Sequence, residues 1–131
     1  MKTLIPALLR TWDRQRDYAC RLVADLSDGD MVSQPIPGVT LNHAAWTFGH
    51  LSIYAPVLSA ILRGESFEDP IKHRYGRDSA PVSDASAYPK KAELMAEYLR
   101  GHDELAVTLG KVDPVVLDAP IPLARWKERF P

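Results

Sequence analysis

The sequence predicts an all-α protein built on three long helices. Apolar residues recur at three- and four-residue steps in residues 3–26, 41–63 and 89–111, and this spacing is typical of amphipathic helices. No segment of useful length shows the apolar–polar alternation of a half-buried strand. Most of the eleven prolines lie between these segments or at their ends, where they mark the connectors.

The first predicted helix covers residues 3–26. Thr3 is a candidate N-cap, because its hydroxyl can accept a hydrogen bond from a free backbone N–H of the first turn. The polar turn at residues 27–30 ends the helix, and the proline-rich segment at residues 34–38 prevents its continuation. Its apolar stripe consists of Leu4, Leu8, Leu9, Trp12, Ala19, Leu22, Val23 and Leu26.

The second predicted helix covers residues 41–63, with Thr40 as a candidate N-cap and Gly64 at its end. Pro56 removes one helical hydrogen bond and predicts a kink near Ser52. Apolar residues occupy two faces of this helix, so it needs neighbours around most of its circumference.

The second helix also contains an uncharged run of 22 residues, at residues 41–62. Such a run is long enough to cross a bilayer. Polar side chains are spread along it, however, and only about half of its residues are strongly apolar by hydropathy. We therefore interpret it as a buried core helix and expect no membrane association.

The third predicted helix covers residues 89–111, with Pro89 at its first position. A connector at residues 64–89 precedes it and shows no apolar period. Such a long connector is unusual in a compact domain and needs a structural reason. The second helix should be about 35 Å long, and such a connector can run along it, so that the third helix lies parallel to the second. Residues 112–131 contain four prolines and predict an extended tail.

Length and composition limit the possible classes of protein. The 131 residues predict a single domain. A formal net charge of −1 argues against a dedicated nucleic-acid-binding protein. Cys20 is the only cysteine, which excludes an internal disulfide and a cysteine-rich zinc site. Residues 1–20 show no signal-peptide pattern, so we expect a cytoplasmic protein.

Three helices leave the apolar second helix incompletely covered. Two neighbours with one stripe each cannot enclose a helix that is apolar on most sides. We therefore expect a fourth helix or another chain to supply the missing cover.

His43 and His50 are the first candidate functional residues. They lie seven positions apart, on nearly the same helical face and about 10.5 Å apart along the axis. One metal ion needs nitrogens at about 2.1 Å, so this pair alone is not a chelate. Each histidine could supply one ligand with others from elsewhere, or be hydrogen-bonded in the core.

Trp46 and Tyr54 lie four residues before and after His50, where they can pack beside it. Together with His43 they could line a pocket, or they could be core residues. The basic run at residues 72–77 could meet an anionic substrate or form a solvated loop. His102 and Cys20 fall on or beside apolar stripes, where burial in the core is the simpler interpretation.

The segment Asn-His-Ala-Ala-Trp-Thr-Phe-Gly-His-Leu, at residues 42–51, resembles the DinB-like superfamily, whose second helix often reads N-H-x-x-W-x-x-G-H. The start of the third helix at residues 88–94 and the long connector are similar to that family as well. The resemblance implies an up-down-down-up four-helix bundle with a divalent-metal site, for nickel, zinc or a similar ion, formed by three histidines. One of these histidines maps onto His50, and the other two come from an H-x-x-x-H pair on the fourth helix. Members of known activity are mostly thiol-dependent transferases or isomerases, and dimers are common among them.

The sequence departs from the family pattern at its end. It contains no H-x-x-x-H, and only three long helices are predicted. We expect that the domain continues beyond Pro131 into a fourth helix, the alternative being a natural three-helix variant. A single imidazole cannot hold a metal specifically, so we predict weak or no metal binding by this chain.

Two other functions remain open. The chain could be a non-enzymatic association module, a homodimer or the partner of another helical protein, that buries its apolar faces between chains. It could instead bind a small molecule without metal, in a pocket formed by Trp46, Tyr54 and the loop at residues 72–77. A small-molecule thiol or another substrate is the partner expected for the thiol-dependent activity that the resemblance implies.

Overall fold

The computed structural model describes residues 4–129, and all regular secondary structure in them is helical. This confirms the all-α prediction. Three long helices are present, α1 (Leu4–Leu22), α2 (Ala44–Arg63) and α3 (Lys91–Lys111). Two single-turn helices follow, α4 (Pro114–Leu117) and α5 (Ala124–Lys127).

Helix α1 is shorter than predicted at its carboxyl end. It ends at Leu22, and the chain then tightens into turns in which the N–H of Leu26 donates to the carbonyl of Val23. Val23 is nevertheless buried, so the apolar stripe continues past the helix. The predicted cap Thr3 lies outside the described residues.

Helix α2 begins at Ala44, three residues later than predicted, and its N-cap is His43 instead of Thr40. The side-chain amide of Gln34 explains the delay, because it bonds both the N–H and the carbonyl of Leu41, at 2.8 Å each. Leu41 is therefore held outside the helix. Gly64 ends the helix in the left-handed conformation (φ 66°), as predicted.

Helix α3 begins at Lys91, two residues after the predicted start at Pro89. A carboxylate oxygen of Asp28, distant in sequence, accepts a hydrogen bond from the Lys91 N–H at 2.7 Å. The helix is thus capped from the α1–α2 connector. The predicted extended tail is wrong in part, because Asp113 caps α4 by accepting from the N–H of Val115, and α5 follows.

Side-chain contacts give the directions of the long helices. Near the start of α2, the Phe48 ring lies 5.0 Å from the ring of Tyr98 in the first half of α3 (between centroids). At the end of α2, Arg63 contacts Thr108 near the end of α3. Helices α2 and α3 are therefore parallel, as the long connector predicts. Trp12 meets His102, while Lys91 Nζ donates to the carbonyls of Ala24 and Leu26, so α1 is antiparallel to α3.

The three long helices therefore run up, down and down. The described residues do not show a four-helix bundle, because residues 112–129 form only the two single-turn helices. The main core lies at the end of the molecule where α1 ends and where α2 and α3 begin. Its buried members are Val23, Met31, Val32, Ala45, Phe48, Leu94 and Tyr98.

An apolar groove lies between α1 and α2. Both helices pack on α3, but they make few contacts with each other. The groove encloses a cavity of about 310 Å³ whose walls include Trp12, Leu51, Leu58 and Tyr98. Leu51 is 44% exposed, so apolar surface remains uncovered here, as expected from the sequence.

Helix α2 is long and apolar enough to span a membrane by length and composition, the only one among the described residues. Its buried residues, such as Ala45, Phe48 and Tyr54, face the rest of the protein. A central helix packed on its neighbours meets the same criterion.

Candidate functional site

His50 lies on α2 with one ring nitrogen fixed by the long connector. Its Nδ1 is 2.7 Å from the backbone carbonyl of Tyr75. A carbonyl can only accept a hydrogen bond, so Nδ1 carries the proton and Nε2 of the neutral ring is unprotonated. No hydrogen bond among residues 4–129 involves this Nε2. The half-buried imidazole therefore presents a lone pair at a fixed position.

The rings of Trp46 and Tyr54 hold the imidazole from both sides. Trp46 stacks on His50 with 4.8 Å between centroids and 16° between planes, and Tyr54 packs at 4.8 Å with a tilt of 50°. The spacing of four residues on α2 produces this ladder of rings. The indole N–H of Trp46 donates to Oγ of Ser79 at 2.9 Å, so the connector also fixes the end of the ladder.

Tyr75 explains the glycine that precedes His50. A Cβ at Gly49 would lie 2.7 Å from three carbon atoms of the Tyr75 ring, which is closer than real contacts allow. Gly49 thus lets the buried ring approach α2, while the carbonyl of the same residue reaches His50. Gly76 is needed for the same reason, because a Cβ there would lie 2.2 Å from the carbonyl oxygen of Pro70.

His43 uses both of its ring nitrogens within the protein. Nδ1 accepts from the backbone N–H of Trp46 at 3.2 Å, and Nε2 donates to the carbonyl of Val82 at 2.8 Å. His43 is 6% exposed. It therefore caps α2 and ties the connector to it, and neither nitrogen is left for a ligand.

Tyr54 belongs to a polar cluster with Asp69 and Arg125, which we call the clasp. The Tyr54 hydroxyl donates to Oδ1 of Asp69 at 3.2 Å and accepts from Nη2 of Arg125 at 2.8 Å. Nε of Arg125 donates to Oδ2 of Asp69 at 2.8 Å. The clasp joins α2, the connector and α5.

Burial and the contacts within the clasp shift the pKa values of Tyr54 and Arg125. Burial raises the pKa of the Tyr54 hydroxyl above its ordinary value, and the positive charge of Arg125 partly opposes this. The hydrogen bond to Asp69 raises the pKa of Arg125, whose guanidinium is charged in any case. Tyr54 therefore remains a neutral donor at neutral pH.

A basic cavity of about 470 Å³ adjoins the clasp. Its walls are formed by Arg77, Arg125, Trp126, Glu128 and Arg129. The lining residues thus carry three positive charges and one negative charge.

The basic run at residues 72–77 does not act as one patch. Its last residue, Arg77, lines the basic cavity, whereas Lys72 and His73 line a different cavity beside carboxylates such as Glu68. The Arg74 guanidinium lies 4.7 Å from the centre of the Tyr75 ring. Arg74 thus supports the residue that anchors His50.

The described residues do not complete a metal site. No group of three histidine, cysteine, aspartate or glutamate side chains in residues 4–129 is arranged to hold an ion. His102 is buried on α3 with Nε2 on the carbonyl of Trp12, and Asp69 is held by Arg125. His50 can therefore offer one ligand, and the described part of the chain supplies no further donors of a metal site around it.

The sequence pattern identified the α2 members of the site and placed the loop at residues 72–77, which contains Tyr75, beside Trp46 and Tyr54. It missed Asp69 and Arg125. A backbone carbonyl carries no sequence signal, and the partners of an isolated aspartate or arginine depend on how the connector folds. The basic run was the one available clue in the connector, and it contains both Tyr75 and Arg77.

The family model of the DinB superfamily matches residues 11–130. The match includes all of α2, α3 and the connector between them. No curated protein and no solved structure is significantly similar to the chain.

Proposed function

Because the chain belongs to the DinB superfamily, we propose that it binds a small molecule at a site built around His50. The observation that supports this proposal is the hydrogen bond from Nδ1 of His50 to the carbonyl of Tyr75. It orients the ring and, in the neutral form, places the proton on Nδ1 and the lone pair on Nε2, and the supporting hydrogen bonds of functional histidines have this form.

The chemistry of Nε2 limits the class of ligand. An unprotonated imidazole nitrogen accepts a hydrogen bond from a thiol, hydroxyl or amine. A thiol bound there would be held beside the base that can take its proton, and the thiolate is the nucleophilic form. Thiol-dependent transfer, the activity that the resemblance implies, would use His50 in this way.

A divalent metal ion such as zinc or nickel is the second candidate ligand. An imidazole that donates from Nδ1 to a carbonyl is oriented as metal-ligating histidines usually are. One protein ligand is too few for a specific site, so we propose weak binding by the described residues. No chemical step is assigned to the ion.

Titrations of the folded chain test both candidates. We expect 2-mercaptoethanol and Zn²⁺, added separately, to shift the indole N–H resonance of Trp46, whose ring stacks on His50, and we expect this shift to be lost in His50→Ala. His73→Asn is the matched control, because the amide oxygen can replace the ring nitrogen that accepts from the Tyr75 N–H. Equal responses of the wild type and His50→Ala would remove His50 from any site.

A second copy of the chain is the proposed cover for the groove between α1 and α2. Leu8 and Leu51, from the two helices that flank it, are 38% and 44% exposed, and exposed apolar surface beside a groove is typical of association sites. In sedimentation we expect a dimer for the wild type and a monomer for Leu51→Asp. Val107→Asp, at a residue of α3 that is 56% exposed, should remain dimeric. A monomeric wild type at micromolar concentration would contradict this part of the proposal.

A cytoplasmic location without nucleic-acid or membrane binding completes the proposal. The near-neutral balance of charge supports the part of this proposal that concerns nucleic acid.

A further inference from the structure

We infer that the basic cavity binds the carboxylate or phosphate group of the small molecule that meets His50. This inference rests on the proposed function and names the class of its ligand, a small organic anion. It is carried by the placement of Arg77, Arg125 and Arg129 around one cavity.

Arg125 is held in position before a ligand arrives. Its Nε and Nη2 donate to Asp69 and Tyr54, whereas no hydrogen bond of Nη1 is found in the described part of the chain. A guanidinium oriented in this way loses little conformational entropy when it binds a further oxygen. Nη1 is therefore the donor that Arg125 can offer to an anion.

Arg77 and Arg129 supply the excess of positive charge. Asp69 balances Arg125, and Glu128 is the one carboxylate among the residues that line the cavity. Neither Arg77 nor Arg129 forms an ion pair within residues 4–129, and both are exposed. Guanidinium groups in this situation bind carboxylate and phosphate oxygens by charge-assisted hydrogen bonds.

The clasp connects the basic cavity to His50. The Tyr54 hydroxyl bonds Arg125, and the Tyr54 ring packs against the imidazole. Tyr54 thus contacts both the arginine of the cavity and the imidazole, so the two groups lie about one tyrosine side chain apart. Trp126 lines the same cavity and adds an aromatic surface for the body of the ligand.

Titration with inorganic phosphate tests the inference, with the indole N–H resonance of Trp126 as the readout. We expect saturable shifts for the wild-type chain, and binding weaker by about tenfold or more in Arg77→Gln/Arg129→Gln, because two charge-assisted contacts are lost. Neither residue takes part in the clasp, so this variant should fold as the wild type does. Arg10→Gln, on the exposed surface of α1, is the control and should bind phosphate as the wild type does.

Two results would overturn the inference. One is an absence of saturable shifts in the wild type. The other is equal affinity in the wild type and Arg77→Gln/Arg129→Gln. The His50→Ala chain separates this inference from the proposed function, because it should still bind phosphate at Trp126. If phosphate binds while 2-mercaptoethanol leaves the His50 resonances unchanged, the basic cavity is an anion site and the function proposed for His50 is wrong.

Discussion

The backbone carbonyl of Tyr75 lies 2.7 Å from Nδ1 of His50 and fixes the tautomer of that ring. The side chain of Tyr75 packs over Gly49, the residue before His50. Tyr75 therefore positions His50 through its backbone carbonyl, and its side chain leaves room only for a glycine at position 49. The Gly-His pair on α2 and the fold of the connector depend on each other.

Gly49→Ala should displace Tyr75 and break the hydrogen bond between its carbonyl and Nδ1 of His50. The added methyl group would lie 2.7 Å from the Tyr75 ring, and such overpacking costs about 1–3 kcal/mol of stability. We expect a lower free energy of unfolding in urea and a loss of the fixed His50 tautomer in NMR spectra.

Gly110→Ala is the matched control for Gly49→Ala. A Cβ at Gly110 would meet only Leu9, at an ordinary distance of 3.8 Å. Replacing a helical glycine by alanine is expected to stabilise the chain by up to about 1 kcal/mol. Equal effects of the two substitutions would show that Tyr75 does not pack against Gly49 as described.

Arg125→Met should open the clasp and detach α5 from α2. The Arg125 and Asp69 side chains are only 23% and 20% exposed, and Asp69 would be left without its cation. We expect a loss of about 1–3 kcal/mol in the free energy of unfolding. Hydrogen exchange should increase in residues 124–127.

The exposed ion pair of Arg63 with Glu65 provides the comparison for the clasp. Glu65→Gln breaks this pair, whose side chains are about half exposed, and exposed pairs contribute little. We expect almost no change in the unfolding midpoint. A clasp variant that is as stable as Glu65→Gln would mean that α5 does not depend on Arg125.

Trp12→Phe should weaken the attachment of α1 to α3. The Trp12 indole donates to the carbonyl of His102 at 3.2 Å, while Nε2 of His102 donates to the carbonyl of Trp12 at 2.9 Å. The phenyl ring keeps the stacking and loses one hydrogen bond, which corresponds to about 1 kcal/mol. Urea unfolding measures this loss. Tyr18→Phe on the exposed side of α1 should stay within about 0.5 kcal/mol of the wild type, and a larger effect there than at Trp12 would refute the assignment.

The fold should lose stability at alkaline pH. Burial raises the pKa of Tyr54, Tyr75 and Tyr98 above the ordinary tyrosine value. In the unfolded chain these phenols ionise near pH 10, as unperturbed tyrosines do. The folded chain therefore keeps its full stability below about pH 10 and loses it as the pH rises through the raised values.

An absorbance titration of phenolate, followed together with circular dichroism, checks the alkaline prediction. Ionisation of these tyrosines should accompany the loss of helix. Ionisation at the ordinary value in a chain that stays helical would contradict their burial. Tyr98→Phe should shift the alkaline transition to higher pH.

The sequence was sufficient to predict the long helices, because their apolar residues follow the helical period. It misplaced their starts where a distant side chain decides the boundary. Gln34 holds Leu41 outside α2, and Asp28 caps α3 at Lys91. Such contacts depend on the folded connectors and leave no periodic signal.

The candidate site was predictable only where it lies on α2. The four-residue spacing of Trp46, His50 and Tyr54 places their side chains side by side on any α-helix. The same reasoning grouped His43 with them, and the structure instead uses both of its nitrogens at the start of α2. The loop at residues 72–77 was predicted to lie beside Trp46 and Tyr54, but no pattern singled out the carbonyl of Tyr75 within it, and none predicted Arg125.

The most direct test of the role of His50 is ¹⁵N NMR of the imidazole rings near neutral pH, with and without 2-mercaptoethanol. The anchored ring should be protonated at Nδ1, and its Nε2 resonance should shift as the thiol binds. A His50 ring protonated at Nε2, or an Nε2 resonance unmoved by saturating thiol, would contradict the account.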